Sequence, residues 1–133
     1  AQSLMDLGAL CVFLIARGFY RDWTLERVER QFVPPMSHGQ ALLFQKDEQL
    51  VAAVTWAFVS DKVLMELMQG NRAVRPDEWR CGENVFFADF LVADGHTREV
   101  MQRIRAKFKE HLGPGVRGHW YRRAKERPGY VTT

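Results

Sequence analysis

Val85-Phe86-Phe87-Ala88-Asp89-Phe90-Leu91-Val92 places one carboxylate in the middle of an apolar run, just after the turn Asp77-Glu78-Trp79-Arg80-Cys81-Gly82. A carboxylate enclosed in this way costs on the order of several kcal/mol unless it finds a partner. The run reads as a strand. Two-residue alternation puts Phe87, Asp89 and Leu91 on one face and Phe86, Ala88 and Phe90 on the other. Apolar neighbours on both sides disfavour the charged form unless a donor is close. Asp89 then has two readings. It is a general base, or the support of one, or it is a buried carboxylate satisfied by backbone N–H or an arginine.

Working outward, Gln40 to Gln45 and Leu50 to Ser60 flank Lys46-Asp47-Glu48-Gln49, a hairpin pattern. The second of these strands is almost continuously apolar, as expected of a central strand covered on both faces. Ser3 to Ala16 reads as a helix with Ser3 or Asp6 near its start and Gly18 at its end. Thr24 caps a second helix carrying Leu25, Val28 and Phe32 at helical spacing, and Pro34-Pro35 is expected to stop it. Asp61 to Met68 predicts a helix with Val63, Leu64, Leu67 and Met68 inward. His96 to Leu112 predicts another, with the stripe Val100, Ile104, Phe108, and Gly113-Pro114-Gly115 breaks it before a last strand from Val116 to Arg123. This order defines an α/β (α+β) fold, a mixed sheet flanked by helices. Residues 1–133 carry no repeat or Ser/Gly linker, so they read as a single domain.

A hydrophobic fraction of 47% and a charged fraction of 26% are those of a soluble globular chain. Cys11 and Cys81 make no disulfide framework, which suggests a reducing, cytoplasmic setting. No Cys or His pair has ligand spacing, so no metal is expected. Leu7 to Ala16 is too short to span a bilayer, is bracketed by Asp6 and Arg17, and lacks the form of a signal peptide.

Net charge is +3, concentrated late: Arg98 to Arg127 holds ten Lys and Arg against Glu99, Glu110 and Glu126. Such a third steers an acidic partner, or is a solvated helix face with a basic tail. Trp120 and Tyr121 interleave with Arg117, Arg122 and Arg123, a pattern that also suits single-stranded nucleic acid.

Ala93-Asp94-Gly95-His96-Thr97 joins strand to helix. A helix start attracts anions, although Asp94 opposes one and either Asp94 or Thr97 serves as a plain cap. Of the four histidines, His38 lies in a loop and His111 at a charged helix end, so His96 and His119 are the two able to reach the Asp89 strand. No Ser-His-Asp order, phosphate-binding loop or zinc pattern appears.

Trp79-Arg80-Cys81-Gly82, the strand Phe87 to Val92, Thr55-Trp56-Ala57 and Tyr20-Arg21-Asp22-Trp23 agree in order and spacing with one family. From about Leu7 to Arg117 the chain resembles the RTX toxin-activating lysine acyltransferases. The resemblance implies transfer of a fatty acyl group from acyl carrier protein, or from acyl-CoA as second choice, to internal lysines of a protoxin. It implies that Asp89 is catalytic and that Tyr20 stands where the family carries its catalytic histidine. Tyrosine is a poor base near neutral pH but can donate a hydrogen bond or protonate a thiol leaving group. Trp23 and Trp56 would line the acyl groove, and Asp94, His96 and Arg117 would meet the acyl donor. The final strand–helix–strand unit resembles the acyl-donor half of the Gcn5-related N-acetyltransferase fold. Tyr20 also suits a second reading, a non-catalytic relative acting as a binding module, and a homodimer stays open. The acyltransferase reading requires Asp89 and Tyr20 to face one cleft, with their oxygens within direct or one-water reach.

Overall fold

A computed structural model describes the backbone of residues 2–122 and 127–132. The elements are α1 (Gln2–Arg17), α2 (Leu25–Ser37), β1 (Ala41–Lys46), β2 (Gln49–Val59), α3 (Asp61–Leu67), β3 (Asn84–Val92), α4 (Thr97–Leu112), β4 (Arg117–Arg122) and β5 (Arg127–Thr132). The sheet runs β1-β2-β3-β4-β5, antiparallel except for the parallel pair β3–β4, which α4 connects. The mixed α/β architecture expected from the sequence is therefore the observed one.

The β1–β2 hairpin closes on two residues, Asp47 (φ 54°) and Glu48 (φ 65°). Left-handed backbone at both positions is what a tight turn between right-twisted strands requires. β2 is buried along most of its length, as its apolar run predicts. One face of the sheet, with Ala52, Val54, Trp56, Val85 and Phe87, packs under Val100, Ile104 and Phe108 of α4. Edge-on aromatic contacts join Phe108 to Trp56 (5.0 Å) and to Phe87 (5.5 Å). The opposite face is covered twice. α1 and α2 bring Leu10, Phe13, Leu14 and Phe32 over Ala53 and Leu91, while Leu67 of α3, Val74 and Trp79 cover Ala57, Val59 and Phe86.

β3 departs from simple alternation. Thr55 pairs with Asp89 but Trp56 pairs with Phe87, so Ala88 is an extra residue in the ladder. This bulge places Phe87 and Asp89 on opposite faces, because Phe87 packs with α4 while Leu91 packs with α1 and α2. The expectation that Phe87, Asp89 and Leu91 share a face is thus corrected. Without the shift, Asp89 would lie in the core beneath α4.

Three further boundaries differ. α2 continues through Pro34 and Pro35 to Ser37, because His38 N–H and Gln40 N–H bond back to the two proline carbonyls (3.0 and 2.7 Å). The cap residue of α4 is His96, with no side-chain cap bond, so neither Asp94 nor Thr97 plays that part. The C-terminal stretch expected as a basic tail supplies β5, paired with β4 from Arg117–Thr132 to Arg122–Arg127. Val85–Gly118 and Phe86–His119 are the registered pairs between β3 and β4. Gly118 permits that approach, since a Cβ there would lie 2.4 Å from the Phe87 ring.

Candidate active site

Gly18 (φ 74°) ends α1, and Tyr20 follows in the left-handed region at φ 55°. A bulky residue there is uncommon and is held only where its surroundings fix it. Trp23 does so twice, donating its backbone N–H to Tyr20 O (3.0 Å) and stacking on the phenol ring at 3.9 Å and 14°. The Arg27 guanidinium lies 4.3 Å over the Trp23 ring, completing a three-layer stack. Thr24 starts α2 by accepting from Arg27 N–H (3.1 Å), which sets the helix phase that turns Gln31 inward.

These side chains converge on Asp89, which is 3% exposed. Tyr20 Oη donates to Asp89 Oδ1 at 2.5 Å, while Gln31 Nε2 (2.9 Å) and Thr55 Oγ1 (3.3 Å) donate to Oδ2. Donors from the α1–α2 link, from α2 and from β2 thereby offset the desolvation of the carboxylate. The polar cluster occupies the gap between the two apolar patches on that face of the sheet.

A cleft of about 530 Å³ opens onto Asp89 and Tyr20. Trp23, Ala73, Val74 and Ala88 give it apolar wall, and Glu26, Arg27 and Arg30 make its mouth charged. The Glu26–Arg30 pair (3.2 Å) is exposed and adds little stability. The wall at Ala73 and Val74 is fixed by Arg72, which bonds both Glu78 oxygens (2.7 and 2.9 Å) and Glu66 (3.0 Å). The Arg72 bonds raise its own pKa and hold the Glu78 carboxyl below its ordinary range, helped by the Arg75 N–H.

Of the residues singled out from sequence, the cleft brings together Asp89, Tyr20 and Trp23. Trp56 lies on the opposite face beneath α4, and Asp94 is exposed beyond β3. His96 lines a separate hollow with Lys46, Glu99 and Arg103, and Arg117 begins β4. His119 pairs with Phe86; burial, then Arg117, lowers its pKa. Neither histidine lines the cleft, so neither substitutes for a base beside Asp89. Gln31 was not legible as a site residue, although its place next to Phe32 on an inward-facing turn carried the signal. Among the described residues no group of side chains could hold a metal ion, and no helix is long and apolar enough to cross a membrane.

On a helix-flanked mixed sheet, the bulged central strand thus presents a carboxylate to a phenol at the floor of a cleft. Comparison with known proteins gives the class. A profile of the RTX toxin acyltransferase family matches residues 1–130, and the chain belongs to that family. It is 24% identical over 108 residues to lysine-acyltransferase RtxC of Vibrio cholerae, covering 80% of this chain and 71% of that protein. Over 98 residues it is 24% identical to leukotoxin-activating lysine-acyltransferase LtxC of Aggregatibacter actinomycetemcomitans, covering 74% of this chain and 58% of that one. It is also 21% identical over 116 residues to protein-lysine myristoyltransferase HlyC of Escherichia coli, covering 87% of this chain and 68% of that enzyme.

Proposed function

We propose that this chain is a single acyltransferase-like domain that moves a fatty acyl group from a thioester donor to a lysine amine of an RTX-like protoxin. Asp89 and Tyr20 would serve as its proton relay. The observation that carries the reading is the 2.5 Å bond from Tyr20 Oη to Asp89 Oδ1 at the floor of the cleft. A phenol that donates its proton retains acceptor capacity on the same oxygen. As the neutral amine attacks the thioester carbonyl, the C–N bond forms and the amine proton passes to Tyr20 Oη. The phenolic proton moves to Asp89 Oδ1. When the C–S bond breaks, the relay runs backward and protonates the departing thiolate, so the products are an amide and a thiol.

The donor we propose is acyl carrier protein rather than acyl-CoA, on the strength of the basic surface that begins at Arg98. That donor and acceptor would place the reaction in the cytoplasm. Nucleic-acid binding is not favoured, because Trp120 packs against the α4-side core and Tyr121 against Gly70 instead of standing free to stack on bases.

The test is intact-mass spectrometry of a lysine-bearing protoxin segment incubated with acyl carrier protein thioester or with acyl-CoA. Transfer is expected, and Tyr20→Phe is expected to lower its rate at least 100-fold, the scale of a lost proton-transfer group. Tyr20→His should keep or raise the rate, since imidazole accepts protons near neutral pH. Undiminished transfer by Tyr20→Phe would remove the relay. Binding of donor and acceptor without transfer by any variant would establish the binding-module reading, which the phenol in the histidine position favours.

A further inference from the structure

On the face of the sheet away from Asp89, beneath the C-terminal end of α4, lies a second cavity of about 540 Å³. Its apolar lining is the half-buried Phe58 of β2 and the exposed Leu112, over the edges of the buried Trp56 (3% exposed) and Phe108 (5% exposed). Its charged lining is cationic, and the Gln40 amide also reaches it. Arg80, Lys107, His38 and His111 line it, and no carboxylate does.

Arg80 does not simply wave in solvent. Its Nε donates to Gln40 Oε1 (3.0 Å) and its Nη2 to His38 O (2.7 Å), so the guanidinium is held in the cavity wall. Gln40 in turn is 3% exposed and fixed by Nε2 bonds to Trp56 O (2.9 Å) and Trp79 O (3.0 Å). The buried amide thereby ties the Arg80 guanidinium to the backbone at Trp56 and Trp79. Nothing in the acyl-transfer relay uses this arrangement, since Trp56 and Thr55 point to opposite faces of β2.

We infer that this cavity is a second binding site, for a chain molecule with an anionic head. The head, a carboxylate or a phosphate, would sit between Arg80 and Lys107, and the alkyl tail would lie along Phe58 and Leu112, over the edges of Trp56 and Phe108. An apolar lining excludes a fully hydrated ion as the whole ligand, and a one-signed cationic rim excludes a neutral lipid tail as the whole ligand. The volume lies within the range of roughly 300–1,000 Å³ found for small-molecule sites. The site stands on its own residues and does not depend on the acyltransferase reading.

The experiment is titration of the intact chain with dodecanoate, dodecyl phosphate, dodecanol and inorganic phosphate, each below its micellar concentration where one exists. Binding would be followed by calorimetry and by the Trp56 indole N–H resonance. At least one dodecyl anion should bind one to one and shift that resonance, and the stronger of the two identifies the head group. Lys107→Glu, at the rim, should weaken binding at least tenfold, whereas Tyr20→Phe, on the other face, should change it less than twofold. Dodecanol or phosphate binding as tightly as the dodecyl anions would overturn the inference. So would dodecyl binding that Lys107→Glu leaves intact or that Tyr20→Phe abolishes, as would failure of both anions to bind while the unfolding transition of the chain is normal.

Discussion

Replacing Asp89 separates its structural from its chemical part, because Ala and Asn remove different things. In Asp89→Ala the donors Tyr20 Oη, Gln31 Nε2 and Thr55 Oγ1 all lose their acceptor. Gln31 and Thr55 are 9% and 1% exposed, so water cannot readily replace the carboxylate. Each buried group left unpaired costs about 1–3 kcal/mol, giving about 2–6 kcal/mol for the two; Tyr20, at the cleft, is re-solvated more cheaply. Asp89→Asn keeps an acceptor oxygen toward Gln31 and Thr55 and turns its amide toward Tyr20, whose hydroxyl rotates to accept. It forfeits mainly the charge assistance, about 1–2 kcal/mol. At the midpoints of those ranges Asn should therefore be more stable than Ala by about 2.5 kcal/mol, or roughly 8 °C in Tm for a chain of this size. Both variants should lose acyl transfer. Guanidinium unfolding followed by tryptophan fluorescence measures the first difference, and intact-mass analysis the second. An Ala variant within about 1 kcal/mol of the Asn variant would mean that the donors do not depend on Asp89. Full transfer by the Asn variant would mean that Asp89 takes no proton.

Glu48→Gly should raise stability by about 1 kcal/mol, because φ 65° strains a side chain but not glycine; a melting point that stays put or falls contradicts the turn geometry. Gly82→Ala should cost about 3 kcal/mol or more, since a Cβ there would lie 2.2 Å from Ser60 N and 2.3 Å from Val59 C, backbone that cannot step aside. A soluble variant with unchanged unfolding midpoint would disprove that close approach. Glu78 has a folded pKa below its ordinary 4.5, chiefly through the Arg72 bond. Its stabilisation is thus complete above about pH 4.5 and lost as pH falls through the lower folded value. Glu78→Gln should flatten stability against pH in that acid range, and an unchanged slope would count against the bond. His119 has a folded pKa below 6.5 through burial, so it contributes stability fully above about pH 6.5 and loses it on acidification. His119→Gln should remove that part of the pH dependence, as measured by urea unfolding across pH 5 to 8.

Periodic segments were legible because one force set both their pattern and their packing. Val100, Ile104 and Phe108 recur at helical spacing and are the buried stripe of α4. β2 reads as a central strand and is covered on both faces. The misreadings fall where local rules compete with tertiary hydrogen bonding. Pro34 and Pro35 lack N–H groups, yet their carbonyls still accept from His38 and Gln40, so α2 does not end at them. β5 was missed because its residues, Arg-Pro-Gly-Tyr-Val-Thr, carry no alternation. Its pairing with β4 is a long-range ladder that composition does not announce.

The site was half legible for a related reason. Asp89 stood out because a carboxylate in an apolar run demands a partner, and Tyr20 and Trp23 because the link Tyr20-Arg21-Asp22-Trp23 resembles that of the acyltransferase family. Alternation, however, gave Asp89 the wrong companions. Counting by two from Phe87 sends it beneath α4, and the extra residue Ala88 undoes that count. No residue type marks the bulge in the sequence, since Ala88 is as ordinary in a strand as in a turn. What requires it is the placement of the other elements. α4 seals one face with Trp56, Phe87 and Phe108, while α1–α2 and α3 leave an opening on the other face between their clusters. Asp89 gains three donors by facing that opening and would face packed aromatic carbon on the other side. The register shift is thus the place where the fold gives up ladder regularity to bring a carboxylate and a phenol to the floor of one cleft.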